Sequence, residues 1–249
     1  PFFVPGTLAN PLLRLYSGQT VIAQNDNWQD APSCAGGFLC EDAAQIKSTG
    51  LDPCQANSGQ PGPPPNCNLE SAILITLPPG AYTAMVTGSD GGTGVGLLEV
   101  FDAADSIEAE LSNVSTRGFV QTGDDVMIGG LIIEGSVPAT VLVRARGPSM
   151  SGAPYFVSGT LANPFLQLYS GQTVIAQNND WQDATSCTAF ACGGASQIAA
   201  AGLAPCQPNP DQSTPPPGCA HESAILITLP PGAYTAMVSG ADGGTGVGL

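Results

Sequence analysis

The residues best equipped for chemistry lie in a loop that occurs twice. Asn25-Asp26-Asn27-Trp28-Gln29-Asp30 and Asn178-Asn179-Asp180-Trp181-Gln182-Asp183 each carry side-chain oxygen at five of six positions. Calcium takes about six to eight oxygens from carboxylates, amides and backbone carbonyls on irregular loops. Asp26-Asn27 in one loop corresponds in sequence to Asn179-Asp180 in the other, an exchange that keeps the charge of such a shell. The expected metal ligands are therefore Asn25, Asp26, Asn27 and Asp30 in the first loop, and Asn178, Asn179, Asp180 and Asp183 in the second. Glu70 and Glu222 are the distal carboxylates that would join these shells, and calcium is the only cofactor expected. A plainer reading makes each loop an Asx-rich turn that bonds its own backbone, with Trp28 and Trp181 plugging the end of a domain.

The eight cysteines divide four and four: Cys34, Cys40, Cys54 and Cys67, then Cys187, Cys192, Cys206 and Cys219. An even count in a Pro- and Gly-rich, Lys-poor chain points to disulfides and an oxidising compartment. Zinc fits poorly, because no C-x2-C spacing occurs and the only histidine, His221, matches Asn68 in the other copy. Four cysteines allow 3 pairings, and spacing leaves them open. One residue fewer separates the first two cysteines of the second set, a change that a short surface loop absorbs. Local pairs are therefore expected: Cys34–Cys40, Cys54–Cys67, Cys187–Cys192 and Cys206–Cys219.

The catalytic inventory is thin. A single histidine without a counterpart argues against a histidine-based triad in each copy. Gly123-Asp124-Asp125 reads as a turn opening a strand, and no G-x-S-x-G, phosphate-loop or H-E-x-x-H motif occurs. No catalytic residue is assigned and no enzyme is expected. Asn113-Val114-Ser115 is a glycosylation sequon.

These residues must be held by elements that the chain spells twice. Residues 1–97 recur at 154–249, offset by 153 positions to the first cysteine and by 152 from the second. Glu70–Val86 returns unchanged as Glu222–Val238, and Leu15–Asn25 as Leu168–Asn178. A period of this size fits one domain per repeat. Period-2 apolar runs predict strands. Leu12–Ser17 and Thr20–Gln24 flank Gly18 as a hairpin, Ala72–Leu77 and Ala81–Gly88 flank Pro78-Pro79-Gly80, and Thr93–Asp102 pairs back across the Asp90-Gly91-Gly92 turn. Gly118–Gln121, Asp125–Gly135 and Ala139–Arg146 follow, the last with Val141, Val143 and Ala145 inward and Leu142, Arg144 and Arg146 outward. Short helices are expected at Glu41–Ser48 and Ala195–Ala201, and Pro-rich surface loops at 58–66 and 208–218.

About eight short strands per unit predict an all-β chain of tandem antiparallel β-sandwich units, Ig-like or jelly-roll-like, with a short helix and disulfide-tied loops. Asp102–Leu111 is acidic and rich in small residues. The expected division is a first unit at 1–102 lacking its N-terminal strands, a linker at 103–112, and a second unit at 113–249 lacking its last strand. Both chain ends fall inside a repeat, so the sequence is expected to be a stretch of a longer protein.

Twenty acidic residues stand against five basic ones, and 154–249 contains no Lys or Arg. Such a surface repels nucleic acid and anionic membrane. No apolar run approaches the roughly 20 residues of a spanning helix.

The stretches GTLANPLLRLYSGQTVIAQNDNWQD and LESAILITLPPGAYTAMVTGSDGGTGVGLLEVFD, with LSNVSTRGFVQTGDDVMIGGLIIEG between repeats, resemble repeats of large secreted bacterial proteins. Their pattern is also similar to bacterial pre-peptidase C-terminal (PPC-like) β-sandwich domains. That resemblance implies accessory, non-catalytic units, some of which bind calcium in acidic loops. The four cysteines and the Pro-rich insertion depart from both groups.

The expected function is that of an extracellular or cell-surface structural repeat protein, a building block of a filament, sheath or surface layer. Its expected partners are copies of itself, through head-to-tail or strand-completing contacts, with no nucleic acid and no membrane insertion. The alternative is a set of non-catalytic adhesion or carbohydrate-binding modules of a secreted multidomain protein. Trp28, Trp181, Tyr16 and Tyr169 would then be the sugar-facing aromatics, Tyr82 and Tyr234 being core-like.

Overall fold

The computed structural model describes residues 5–56, 62–103, 111–208 and 213–249. Most of the expected linker, and part of each Pro-rich loop, lie outside the described residues. The chain divides into two compact units, Pro1–Ser112 and Asn113–Leu249. Both are mostly β, with antiparallel sheets.

The first unit contains β1 (Pro11–Ser17), β2 (Thr20–Asn25), β3 (Ser33–Cys34), α1 (Ala43–Ser48) and β4 (Tyr82–Gly88). They form one sheet in the order β3-β2-β1-β4. Gly18 turns the β1–β2 hairpin with φ 58°, a left-handed conformation that glycine adopts without steric cost. α1 is short and held by its cap: Asp42 Oδ1 accepts from the Gln45 amide at 3.0 Å, and Gln45 Oε1 accepts from the Asp42 amide at 2.8 Å.

The second unit contains β5 (Gly118–Val120), β6 (Met127–Ile133), β7 (Ala139–Ala145), β8 (Pro164–Ser170), β9 (Thr173–Asn178), β10 (Ser186–Cys187), β11 (Cys192–Gly193), α2 (Ala195–Ala200), β12 (Ser223–Leu229), β13 (Gly232–Gly240) and β14 (Gly246–Gly248). A five-stranded sheet runs β10-β9-β8-β13-β6, a three-stranded sheet runs β11-β12-β7, and β14 pairs with β5. Residues of the two larger sheets meet in one apolar core, among them Leu166, Leu168, Ile225, Ile227 and Val238, with Met127, Leu131, Val141 and Val143 packed against it. A smaller cluster gathers Trp181, Ile198, Ala204 and Ala224 under α2.

Several sequence expectations are corrected. Ala72–Leu77 is not a strand in the first unit, where Ile75 makes a single bridge to Cys40. Its counterpart β12 is a full strand, because β7 pairs with it from Ser223↔Ala145 to Leu229↔Ala139. Residues 1–97 contain no sequence equivalent of β7, so among the described residues the same heptapeptide has only the Cys40 bridge to pair with. Thr93–Asp102 does not pair back on β4 and makes one bridge, Thr7↔Val95. In the second unit the matching β14 crosses to β5. Leu142 and Arg146 do not face solvent: Leu142 packs on the smaller cluster, and Arg146 reaches Glu222.

The difference in packing follows the difference in strands. Leu166, Leu168 and Ile225 are 0% exposed and Ile227 1%. Their counterparts Leu13, Leu15, Ile73 and Ile75 are only half-buried.

Candidate functional site

Four disulfides tie the loops: Cys34–Cys40, Cys54–Cys67, Cys187–Cys192 and Cys206–Cys219. The last bridge in each unit spans 13 positions with a Cα–Cα distance of 5.1 Å, a geometry proper to a disulfide. No free cysteine remains. Four bridges point to an oxidising environment.

The Asx loops follow β2 and β9 and have the same internal wiring. Asn25 and Asn178 are buried, each 4% exposed. Asn25 Nδ2 donates to the Asn27 carbonyl at 3.0 Å and the Asp30 carbonyl at 3.2 Å, while its Oδ1 accepts from the Ala72 amide at 3.1 Å. Asn178 repeats this with Asp180 at 3.0 Å, Asp183 at 3.5 Å and the Ala224 amide at 3.0 Å. The asparagine side chain thus fills the loop and satisfies backbone groups that would otherwise be orphaned. Two of the loop's carbonyl oxygens already receive an amide proton, so Asn25 and Asn178 act as structural pins.

The remaining expected ligands sit differently. Asp30 Oδ2 accepts from Asn27 Nδ2 at 3.3 Å, and Asp180 Oδ1 lies 3.3 Å from His221 Nδ1. Asp26 Oδ1, Asn27 Oδ1 and Asn179 Oδ1 are buried acceptor atoms without a partner among the described residues. Asn10 Oδ1 and Asn163 Oδ1, at matching positions, are likewise unpartnered among the described residues, as are two buried donors, the indole N–H groups of Trp28 and Trp181. Sequence reasoning passed over Asn10 and Asn163, whose only signal is their recurrence. No group of three or more His, Cys, Asp or Glu residues that could hold a metal ion occurs among the described residues.

Of the two distal carboxylates, Glu222 is already engaged away from its loop. Glu222 is fully buried. Its Oε1 accepts from the backbone amides of Gly147 at 3.1 Å and Ser149 at 2.9 Å, and its Oε2 lies 3.3 Å from Arg146 Nε. Arg146 also donates to Ser149 Oγ at 2.8 Å and lies over the Tyr155 ring, 5.4 Å from its centroid. A buried charge needs a charged or hydrogen-bonded partner, and the Arg-Gly-Pro-Ser turn after β7 supplies both kinds. Gly147 is required there, since a Cβ would strike the Leu161 carbonyl oxygen. Glu70, the counterpart of Glu222, receives no such turn; its carboxyl is held above its ordinary value by burial. The sequence signal for this lock was an arginine expected to point outward, directly before Gly-Pro-Ser.

Asn113 is exposed at the start of the second unit. Trp28 and Trp181 are buried, as is Tyr234, whereas Tyr16 and Tyr169 are half-buried. Among the described residues no helix is long and apolar enough to cross a membrane.

No family model matches this chain, no curated protein does, and no solved structure does.

Proposed function

We propose that this chain is extracellular or cell-surface structural material: non-catalytic β-sandwich units in series, the building block of a filament, sheath or surface layer, with further copies of itself as partners. The observation that carries this reading is the contrast between the units. An identical sequence, Glu70–Val86 and Glu222–Val238, is flanked by β6 and β7 in one unit, whereas among the described residues of the other no strand takes either place. A unit with an open strand edge is suited to growth by strand pairing, the same property that makes edges an aggregation hazard. Four disulfides and a chain nearly free of lysine and arginine suit long service outside the cell.

The adhesion or sugar-binding alternative is the weaker one. It needs flat, exposed aromatics, and both repeated tryptophans are buried in their loops. Calcium forms a secondary part of the proposal, resting on the buried, unpartnered oxygens of Asp26, Asn27 and Asn179. Glycosylation at Asn113 is consistent with its exposure.

Negative-stain electron microscopy of purified, oxidised chain tests the main reading. Regular filaments or sheets are expected, and uniformly monomeric particles at all concentrations would remove it. Thermal melting with and without a chelator tests calcium: a lowered midpoint is expected on chelation, and an unchanged one discards the ion.

A further inference from the structure

The second unit is a template for what the first one accepts. β6 pairs with β13 from Met127↔Val238 to Ile133↔Gly232, and β7 pairs with β12 along its full length. The Arg146-Gly147-Pro148-Ser149 turn then closes on Glu222. Every residue of β12 and all of β13 up to Val238 are repeated in the first unit. There β4 is the edge of its sheet, Met85 is 44% exposed, and no described residue donates to the Glu70 carboxylate.

We propose that the first unit is an acceptor for an additional segment of the 113–153 type, which pairs along β4 and residues 71–77 and seats its Arg-Gly-Pro-Ser turn on Glu70. The inference rests on the serial-unit part of the function proposed above. Arithmetic within the chain points to an additional segment. One chain presents two acceptors, at Glu70–Val86 and Glu222–Val238, and one donor at 113–153, which its own second unit already uses. A second copy giving up its donor would only move the opening to its own second unit. The charge also matches: Glu70 offers a carboxylate without a partner among the described residues, and the segment brings an arginine like Arg146 and two backbone N–H groups like those of Gly147 and Ser149. The junction is defined by sequence, because Ala153 leads directly into Pro154, the counterpart of Pro1.

The test is a chain in which residues 113–153 are joined ahead of Pro1, followed by hydrogen exchange against the unfused chain. In the fused chain the amides of 71–77 and 82–88 are expected to slow to the rates of 223–229 and 234–240. Glu70→Ala in the fused chain should return them most of the way to the unfused rates, while the same change in the unfused chain should leave exchange unmoved. Unslowed amides in the fused chain overturn the proposal, as does slowing that is equal with and without Glu70. Slowing in the unfused chain that grows with concentration also overturns it, by placing a second copy's own edge there. Filament formation is a separate readout. A fused chain that is protected but forms no filaments keeps the acceptor and removes the building-block reading, whereas filaments with unprotected strands overturn the acceptor alone.

Discussion

Ile73 and Ile225 occupy the same position of the same heptapeptide, SAILITL. Ile225 is fully buried inside a paired strand, and Ile73 is half-buried in a segment with a single bridge. The hairpin, the disulfides and the Asx loop are alike in both units, because every partner they need, including the Ala72 and Ala224 amides, lies within the repeated sequence itself. The core is not alike, because in the second unit Val120, Met127, Leu131, Ile133, Val141, Val143 and Ala145 reach it from the segment 113–153, which the first unit lacks. The comparison separates what a stretch of chain does alone from what it does when given a partner.

The largest expected effect lies in the carboxylate lock. Removing one member of a buried ion pair leaves the other uncompensated, at a cost of about 3–5 kcal/mol. Arg146→Met should therefore destabilise the second unit by that order and leave the first untouched, read by denaturant unfolding with hydrogen exchange resolved for each unit. A loss of under about 1 kcal/mol, the range of exposed pairs, would mean that Glu222 is held by Gly147 and Ser149 alone.

Truncation of matched isoleucines sharpens the same contrast. Ile225→Ala should cost about 2–5 kcal/mol, the range for fully buried aliphatic side chains. Ile73→Ala should cost well under half as much, since its surroundings are already partly water. Equal losses measured by urea midpoints would show that the first unit closes over Ile73 in solution.

The Asx pin should erase the contrast. Asn25→Ala and Asn178→Ala each leave a backbone amide unpaired, at Ala72 or Ala224, and each should destabilise its own unit by about 1–3 kcal/mol. A clear difference between the two would break the claim that the loops are equivalent.

The smallest effect concerns pH. Burial holds the Glu70 carboxyl above its ordinary 4.5, so the folded unit keeps that proton at a pH where the unfolded chain has released it. Its contribution to stability is then lost as pH rises through the window above 4.5. Glu70→Gln should flatten that part of the first unit's stability profile, measured as denaturant midpoint against pH. An unchanged slope would assign it to other carboxylates.

Much of this was legible in the sequence. Strands β1, β2 and β4 follow from alternating apolar residues, and the turn at Gly18 from its position between two such runs. The local cysteine pairs follow from the one-residue deletion that a short loop absorbs. What was not legible has a common cause. β14 crosses to β5 instead of pairing back, and Arg146 turns inward to Glu222, because the partner in each case lies far along the chain. The periodicity of 139–146 placed Val141, Val143 and Ala145 correctly inward, yet had no means of showing a second apolar cluster waiting for Leu142. For the Asx loops, composition allowed either metal ligands or a self-bonded turn, and the fold shows Asn25 and Asn178 donating to the carbonyls of their own loops.

The sequence by itself determined the β character, the duplication, the paired cysteines and the acidic, lysine-poor surface, since these are properties of composition and near neighbours. Only the tertiary structure decided that one copy of SAILITL is a core strand and the other is not. Strand pairing and apolar burial need two surfaces brought together, and no residue within the heptapeptide carries information about whether the second surface is there.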